Sequence, residues 1–317
     1  MGRGMNTEQV KALKVALAGF IESERLIDDP LRTLAYGTDA SFYRLVPQLV
    51  VKVRAEDEVS RLLGLAQQYR TPVTFRAAGT SLSGQAITDS VLVMLEGNAW
   101  RDYAVSADAS RIRLQPGIIG AQANRYLAPL GRKIGPDPAS IASCKIGGIA
   151  ANNASGMCCG VAQNSYQTLE SMRLILVDGA VLDTGDAASR DAFAGSHSDL
   201  LRGIEQLVAE VRANRTLAER IAHKFKIKNT TGYSLNALVD YEDPIDVLQH
   251  LMIGSEGTLG FIAEITYRTV VEHAHKASAL AFFVDVASAC EAVALLKTEP
   301  VDAVEIMNRA ALRSVQD

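Results

Sequence analysis

Cysteine is scarce in this sequence of 317 residues: Cys144, Cys158, Cys159 and Cys290 are the four, and no two stand in a CxxC spacing. That usage suits a reducing cytosol and offers neither a zinc site nor an iron–sulfur site in this stretch, so no metal ligands are assigned. Long hydrophobic runs are missing as well. No stretch approaches eighteen uninterrupted apolar residues, which leaves no candidate for a membrane-spanning helix. The opening MGRGMNTEQVKALKV has no apolar core and no small-residue cleavage site, which argues against a secretory signal. Asn6 stands where a myristoylation signal at Gly2 wants Ser or Thr. Nor is there a basic excess: 32 Lys and Arg against 36 Asp and Glu give a net charge of −4, which argues against nucleic acid as a partner.

What is present is a soluble composition, 48% hydrophobic and 21% charged, on a chain too long for one ordinary core. Two or three lobes are expected. Val10, Leu13, Leu17 and either Phe20 or Ile21 fall on one face of a helix over 7–25, closed by Pro30. A mixed α/β rhythm follows: strands at 49–53, 72–75 and 90–95, and an amphipathic helix over 56–69 carrying Val59, Leu62, Leu63 and Ala66. A hairpin joins 102–106 to 111–115, and a helix is expected near 119–127. Asp178-Gly179 predicts a second hairpin, with a type I′ turn, within 172–184. Helices are predicted over 199–223, a half-buried strand over 260–270, and then a strand–helix–strand unit from 278 to 307. That last unit reads as the opening of a further domain, and the chain reads as a piece of a larger protein.

Three segments rich in small residues interrupt this pattern. RAAGTSLSGQ (76–85) lies between two strands and is longer than a tight strand-to-strand turn needs. Its glycines let the backbone approach a ligand, and successive N–H groups there can form an anion nest. A plain Gly/Ser surface turn is the alternative for these residues taken alone. Two phosphate loops are excluded: Gln85-Ala86 replaces the Lys-Ser/Thr of a Walker A motif, and no GxGxxG opens a helix. KIGGIAANNASG (145–156), preceded by PDPAS (136–140), puts Gly147 and Gly148 at a helix start whose free N–H groups favour oxygen ligands. GSEGTLG (254–260) places three glycines before a strand. Three such segments in one chain favour a long ligand over three unrelated turns.

With KNTTGYSL (228–235) added, these motifs together resemble the FAD-binding domain of the vanillyl-alcohol oxidase (PCMH-type) superfamily. Within it they are similar to the branch of D-lactate, D-2-hydroxyglutarate and glycolate dehydrogenases, and most of all to bacterial D-lactate dehydrogenases with iron–sulfur clusters. The likeness runs from about Leu31 onward, in the family's order. It implies an α+β fold: an N-terminal helical segment (1–30), a two-lobed FAD-binding domain (31–270, lobes about 31–100 and 101–270) and the start of an α/β cap domain (271–317). It also implies one FAD, held through Arg76, Ala77, Ala78, Gly79, Thr80 and Ser81 around the diphosphate, with Gly84 and Gln85 closing the loop. Pro136, Asp137 and Ser140 would line the dinucleotide. Gly147, Gly148, Asn153, Ser155 and Gly156 would follow the ribityl chain and the diphosphate, and Glu256, Gly257 and Ile262 would make late contacts. Ala77 departs from the family's frequent Gly. Thr80 stands where relatives with a covalent flavin have His, which implies non-covalent binding.

The activity so implied is oxidation of a small 2-hydroxy acid, D-lactate first, by hydride transfer to flavin N5. Electrons would pass to a quinone or cytochrome through iron–sulfur clusters outside this stretch, in the cytoplasm or at the periphery of the inner membrane. D-2-hydroxyglutarate and glycolate are the enzymatic alternatives, and a flavin-binding module without turnover is the non-enzymatic one. Such oxidation needs a base and a cation for the carboxylate. The family's G-H-x-G-D-G-N-x-H stretch is missing before Asp317, so no catalytic residue is assigned. His273 and His275 would share a strand face and read as an exposed pair. His197, His223 and His250 read as helical surface. The run HKFKIK (223–228) is either an attractor for anions or a solvated face. Trp100 and Tyr103 are expected in the core, with stacking on a flavin as the alternative.

Overall fold

The computed structural model describes residues 7–296 and 298–316; Gly2 and Asn6, and with them the lipid-anchor question, lie outside the described residues. Two sheets organise the chain. The first contains β1 (Leu26–Ile27), β2 (Leu49–Val53), β3 (Val73–Arg76) and β4 (Val91–Leu95) in the order β1-β2-β4-β3. β2 and β3 both run parallel to β4, while β1 is antiparallel to β2. Leu49, Val50, Val51, Val91 and Leu92 are fully buried, as expected for parallel strands covered on both faces. The helix Glu56–Gln68 packs Val59, Leu62, Leu63 and Ala66 onto one face, joined by Leu13 and Leu17 from the helix Thr7–Leu17.

The second sheet is antiparallel: β5 (Tyr103–Val105), β6 (Arg111–Leu114), β10 (Gly260–Val271), β8 (Leu169–Leu176) and β9 (Val181–Asp183), in that order. β7 (Arg132–Ile134) pairs with the far end of β10. β10 is buried on both sides over its first half, more deeply than its alternating pattern implies. Phe261 and Ala263 join the core of the first sheet, whereas Ile262, Ile265 and Tyr267 join a larger core against the helices Ile146–Asn152, Ser198–Ala213 and Pro244–Met252. The register slips between Ile262 and Glu264, and an extra residue at that point lets the same strand serve both cores. Phe261 also touches Phe75 and Trp100, each at 5.2 Å between ring centroids, so the two sheets share one packed seam.

Several expectations change. The N-terminal helix stops at Leu17, and Pro30 opens a helix (Pro30–Leu34) capped by Asp29 instead of closing one, as its missing N–H allows. The 176–180 hairpin is not type I′. Gly179 alone has positive φ (+85°) and Asp178 does not, and Leu176 N–H meets Ala180 O across three residues, so this is a type I turn followed by a left-handed glycine. Residues 278–285 and 301–307 are not strands: no described strand pairs with them, and Phe282 and Val284 are 81% and 95% exposed. His273 and His275 lie beyond the end of β10 and are exposed. His250 is buried, stacked 3.9 Å from Tyr241, with its pKa lowered by burial. Trp100 is a core residue donating to Val53 O at 2.9 Å, but Tyr103 is half exposed and stacks on Tyr126 at 3.7 Å. No described helix is long and apolar enough to cross a membrane.

Candidate functional site

β3 and β4 are parallel neighbours, so the chain between them must travel back along the sheet. Such a crossover takes a dozen or more residues, and much of the length of segment 77–90 is topological, not surplus. Its ends are tied by Arg76. The buried guanidinium donates to Ala86 O at 2.7 Å and to Tyr36 O at 3.0 Å, and burial lowers its pKa while Asp39 opposes that shift. Ser81 Oγ bonds the Gln85 amide oxygen within the loop. The N–H groups of Gly79, Thr80, Ser81 and Leu82 make no hydrogen bond to any described residue. Gly79 at φ +73° is the left-handed step such a nest requires.

This loop is one wall of a cleft of about 710 Å³, within the range of roughly 300–1,000 Å³ usual for ligand pockets. The opposite wall is the start of the helix Ile146–Asn152. A methyl group on Gly148 would lie 3.5 Å from the Ala77 Cβ, and one on Gly147 would lie 2.8 Å from Pro116. Chain segments seventy residues apart therefore come into van der Waals contact here. The helix start is less open than its sequence implies: Ile146 N–H is taken by Ile118 O and Gly147 N–H by Pro116 O, which leaves the N–H of Gly148. The third wall is 254–262. Glu256 N–H donates to Ala151 O and Gly254 N–H to Ala150 O, pinning that segment on the helix C-terminus. Glu256 has φ +53°, unusual for a residue other than glycine, and accepts from the Asn152 amide at 2.5 Å. Burial raises its pKa and that hydrogen bond opposes the shift.

Of the expected residues, Arg76, Ala77, Ala78, Gly79, Thr80, Ser81, Gln85, Ser140, Gly147, Gly148, Ser155, Glu256, Gly257 and Ile262 line this one cleft. Gly84, Pro136, Asp137, Asn153 and Gly156 do not. Gly84 instead lies against Tyr43, 3.0 Å from where a methyl on it would be. A methyl on Gly156 would fall 1.3 Å from Asp137 O, so these two segments touch backbone to backbone. Asn153 ends the helix at φ +50° and its side chain accepts from Tyr166 N–H at 3.3 Å.

Other lining residues were not assigned from sequence: Lys145, Thr230, Thr231, Gly232 and Ser255 among them. The small polar run 229–232 was the available signal for three of these. Ser255 lies inside the GSEGTLG segment, the available signal for it; it is 2% exposed with a hydroxyl that has no partner among the described residues. Lys228 also borders the cleft, while His223, Lys224 and Lys226 of the same basic run face solvent. None of the five histidines lines it, and the described residues hold no cluster of His, Cys, Asp and Glu suited to a metal. Free main-chain donors at a glycine nest, an unpartnered buried hydroxyl and a cleft walled by three segments fit a dinucleotide with a diphosphate at its middle.

The comparisons with known proteins agree with that geometry. A family model described as an FAD binding domain matches residues 47–185. A D-2-hydroxyglutarate dehydrogenase of Escherichia coli is 29% identical over 238 residues, covering 73% of this chain and 23% of that protein. A mitochondrial D-lactate dehydrogenase (cytochrome) of Arabidopsis thaliana is 26% identical over 280 residues, 87% of this chain and 40% of that one. The chain thus spans well under half of each of these relatives. The solved structure of an alkyldihydroxyacetonephosphate synthase superposes with a TM-score of 0.54 at 19% identity, over 82% of this chain and 41% of its own. Residues 47–185 form an FAD-binding domain of the vanillyl-alcohol oxidase (PCMH-type) superfamily.

Proposed function

We propose that this chain holds one FAD non-covalently in the cleft and that the protein it represents oxidises a small 2-hydroxy acid. The observation that carries the reading is the convergence of segments 76–85, 147–155 and 255–262 on one cavity, with main-chain N–H groups left unsatisfied at its glycine nest. Gly79, Thr80 and Ser81 would cradle the diphosphate, and Gly148, Ser155, Glu256 and Gly257 would flank the rest of the dinucleotide. FAD would supply the hydride acceptor, and the chain's part is to hold and orient it. We assign two lobes, about 31–100 and 101–270, to cofactor binding and 271–317 to the beginning of a cap. Iron–sulfur centres and a quinone or cytochrome acceptor belong to the same proposal, beyond this chain.

D-lactate is the substrate proposed first, on the sequence resemblance; relatives named for D-2-hydroxyglutarate and D-lactate stand at similar identity, 29% and 26%. A flavin-binding module without turnover is the second reading. It is favoured by one observation: among the described residues no histidine lines the cleft, and the one carboxylate that does, Glu256, is engaged by Asn152. The test is direct. The purified chain is expected to be yellow, and acid precipitation is expected to release the colour into the supernatant. A colourless chain that takes up no FAD would end the proposal, and colour retained in the pellet would end its non-covalent part. Reduction of an artificial acceptor with D-lactate, D-2-hydroxyglutarate or glycolate separates the enzyme from the module.

A further inference from the structure

We propose that Lys145 is the charge partner of the dinucleotide's diphosphate, an inference that rests on the FAD reading above. Lys145 lines the cleft from the residue preceding the helix Ile146–Asn152. Gly148, whose N–H is the free one at that helix start, faces Ala77 of the glycine nest. The lysine therefore lines the same cleft as the unsatisfied N–H groups of Gly79 to Leu82, on the helix side of it. Its carbonyl accepts from Ile149 N–H, but its ammonium makes no ion pair and no hydrogen bond with any described residue.

The other charges of the cleft are accounted for. Arg76 is spent on Ala86 O and Tyr36 O, Glu256 on Asn152, and Lys228 is exposed. The charged group acting on Lys145 is another cation, Arg101. Burial first, and Arg101 second, push the ammonium's pKa below the usual lysine value. A half-buried cation beside a cation is unfavourable on its own and becomes favourable when an anion enters. In FAD at neutral pH the diphosphate is the part that carries full negative charge, so it is the part that can answer this arrangement. Main-chain donors on one wall would then fix the position of the diphosphate, and Lys145 on the other would supply countercharge.

The test compares two flavins on the full chain by quenching of flavin fluorescence. FAD carries the diphosphate; riboflavin has the same ring and ribityl chain without it. For Lys145→Met the affinity for FAD is expected to fall about 10- to 100-fold, the worth of one charge-assisted contact. Riboflavin affinity should be unchanged, and Lys145→Arg should retain most of the FAD affinity because it retains the charge. An unchanged FAD affinity in the Met variant, or an equal loss for both flavins, overturns the inference. So does a Lys145→Arg variant as weak as Lys145→Met. If the unmodified chain binds no FAD, the FAD reading fails and this inference falls with it; in the other outcomes the FAD reading stands.

Discussion

Glu256 combines a left-handed backbone with a largely buried carboxyl whose pKa is raised by burial above the ordinary 4.5. A group raised in the folded state favours folding fully below its unfolded pKa, and that contribution is lost as pH rises through the folded value. Glu256→Gln keeps an oxygen for the Asn152 amide and cannot ionise. Its stability relative to the unmodified apo chain is expected to improve as pH climbs from about 4 to about 8, following that titration. Melting curves of the two proteins that stay parallel across this range would refute the argument. Gly156 makes a plainer case. Any side chain there meets Asp137 O at 1.3 Å, backbone against backbone, so neither segment can yield cheaply. Gly156→Ala is expected to cost roughly 2–4 kcal/mol, read from the denaturant midpoint, and to weaken FAD binding by shifting Ser155.

At the scale of elements, the segment Ser23–Arg25 is locked to the helix Glu56–Gln68 by a buried pair. Arg25 donates to both carboxylate oxygens of Glu58, at 2.7 and 2.8 Å, and to Lys52 O at 2.8 Å. Glu58 also accepts from Arg54 N–H, and Glu22 adds a second contact to Arg25. Glu58→Ala leaves a buried guanidinium short of its partner, and a loss of about 3–5 kcal/mol is expected in equilibrium unfolding. A loss under about 1 kcal/mol, the level of an exposed pair, would mean that water replaces the carboxylate. The hairpin glycine is similar in kind. Gly179 at φ +85° lies where a methyl would be 2.7 Å from Ser60 O, so Gly179→Ala should lower the melting temperature although it is far from the cleft. These elements were largely legible from sequence: Leu49–Val53, Glu56–Gln68 and the 172–184 hairpin announce themselves by period and by Asp178-Gly179. The turn type was not, because Asp-Gly suits both a two-residue and a three-residue loop, and the strand register decides between them.

For the whole molecule, the cleft draws its walls from both sheets: Val93 and Leu95 from the first, Phe261 and Ile262 from the second. A ligand seated there ties the two together. Excess FAD is expected to raise the melting temperature, with about 2.7 kcal/mol of added stability at a hundredfold excess over Kd. Thermal scans against FAD concentration check this, and a midpoint that ignores FAD would contradict a site formed only by the folded chain.

The sequence alone determined that small-residue segments recur, what resemblance they carry, and which apolar residues form cores, because each of these depends on residue type and local spacing. Tertiary structure decided the rest. Which main-chain N–H groups remain free depends on whether a carbonyl from a distant segment arrives, as Pro116 O and Ile118 O do at the helix start. That Gly156 and Asp137 form a backbone contact outside the cleft lining, and that the Lys145 ammonium and the Ser255 hydroxyl have no partner among the described residues, depends on packing between residues distant in the chain. No local pattern encodes those distances.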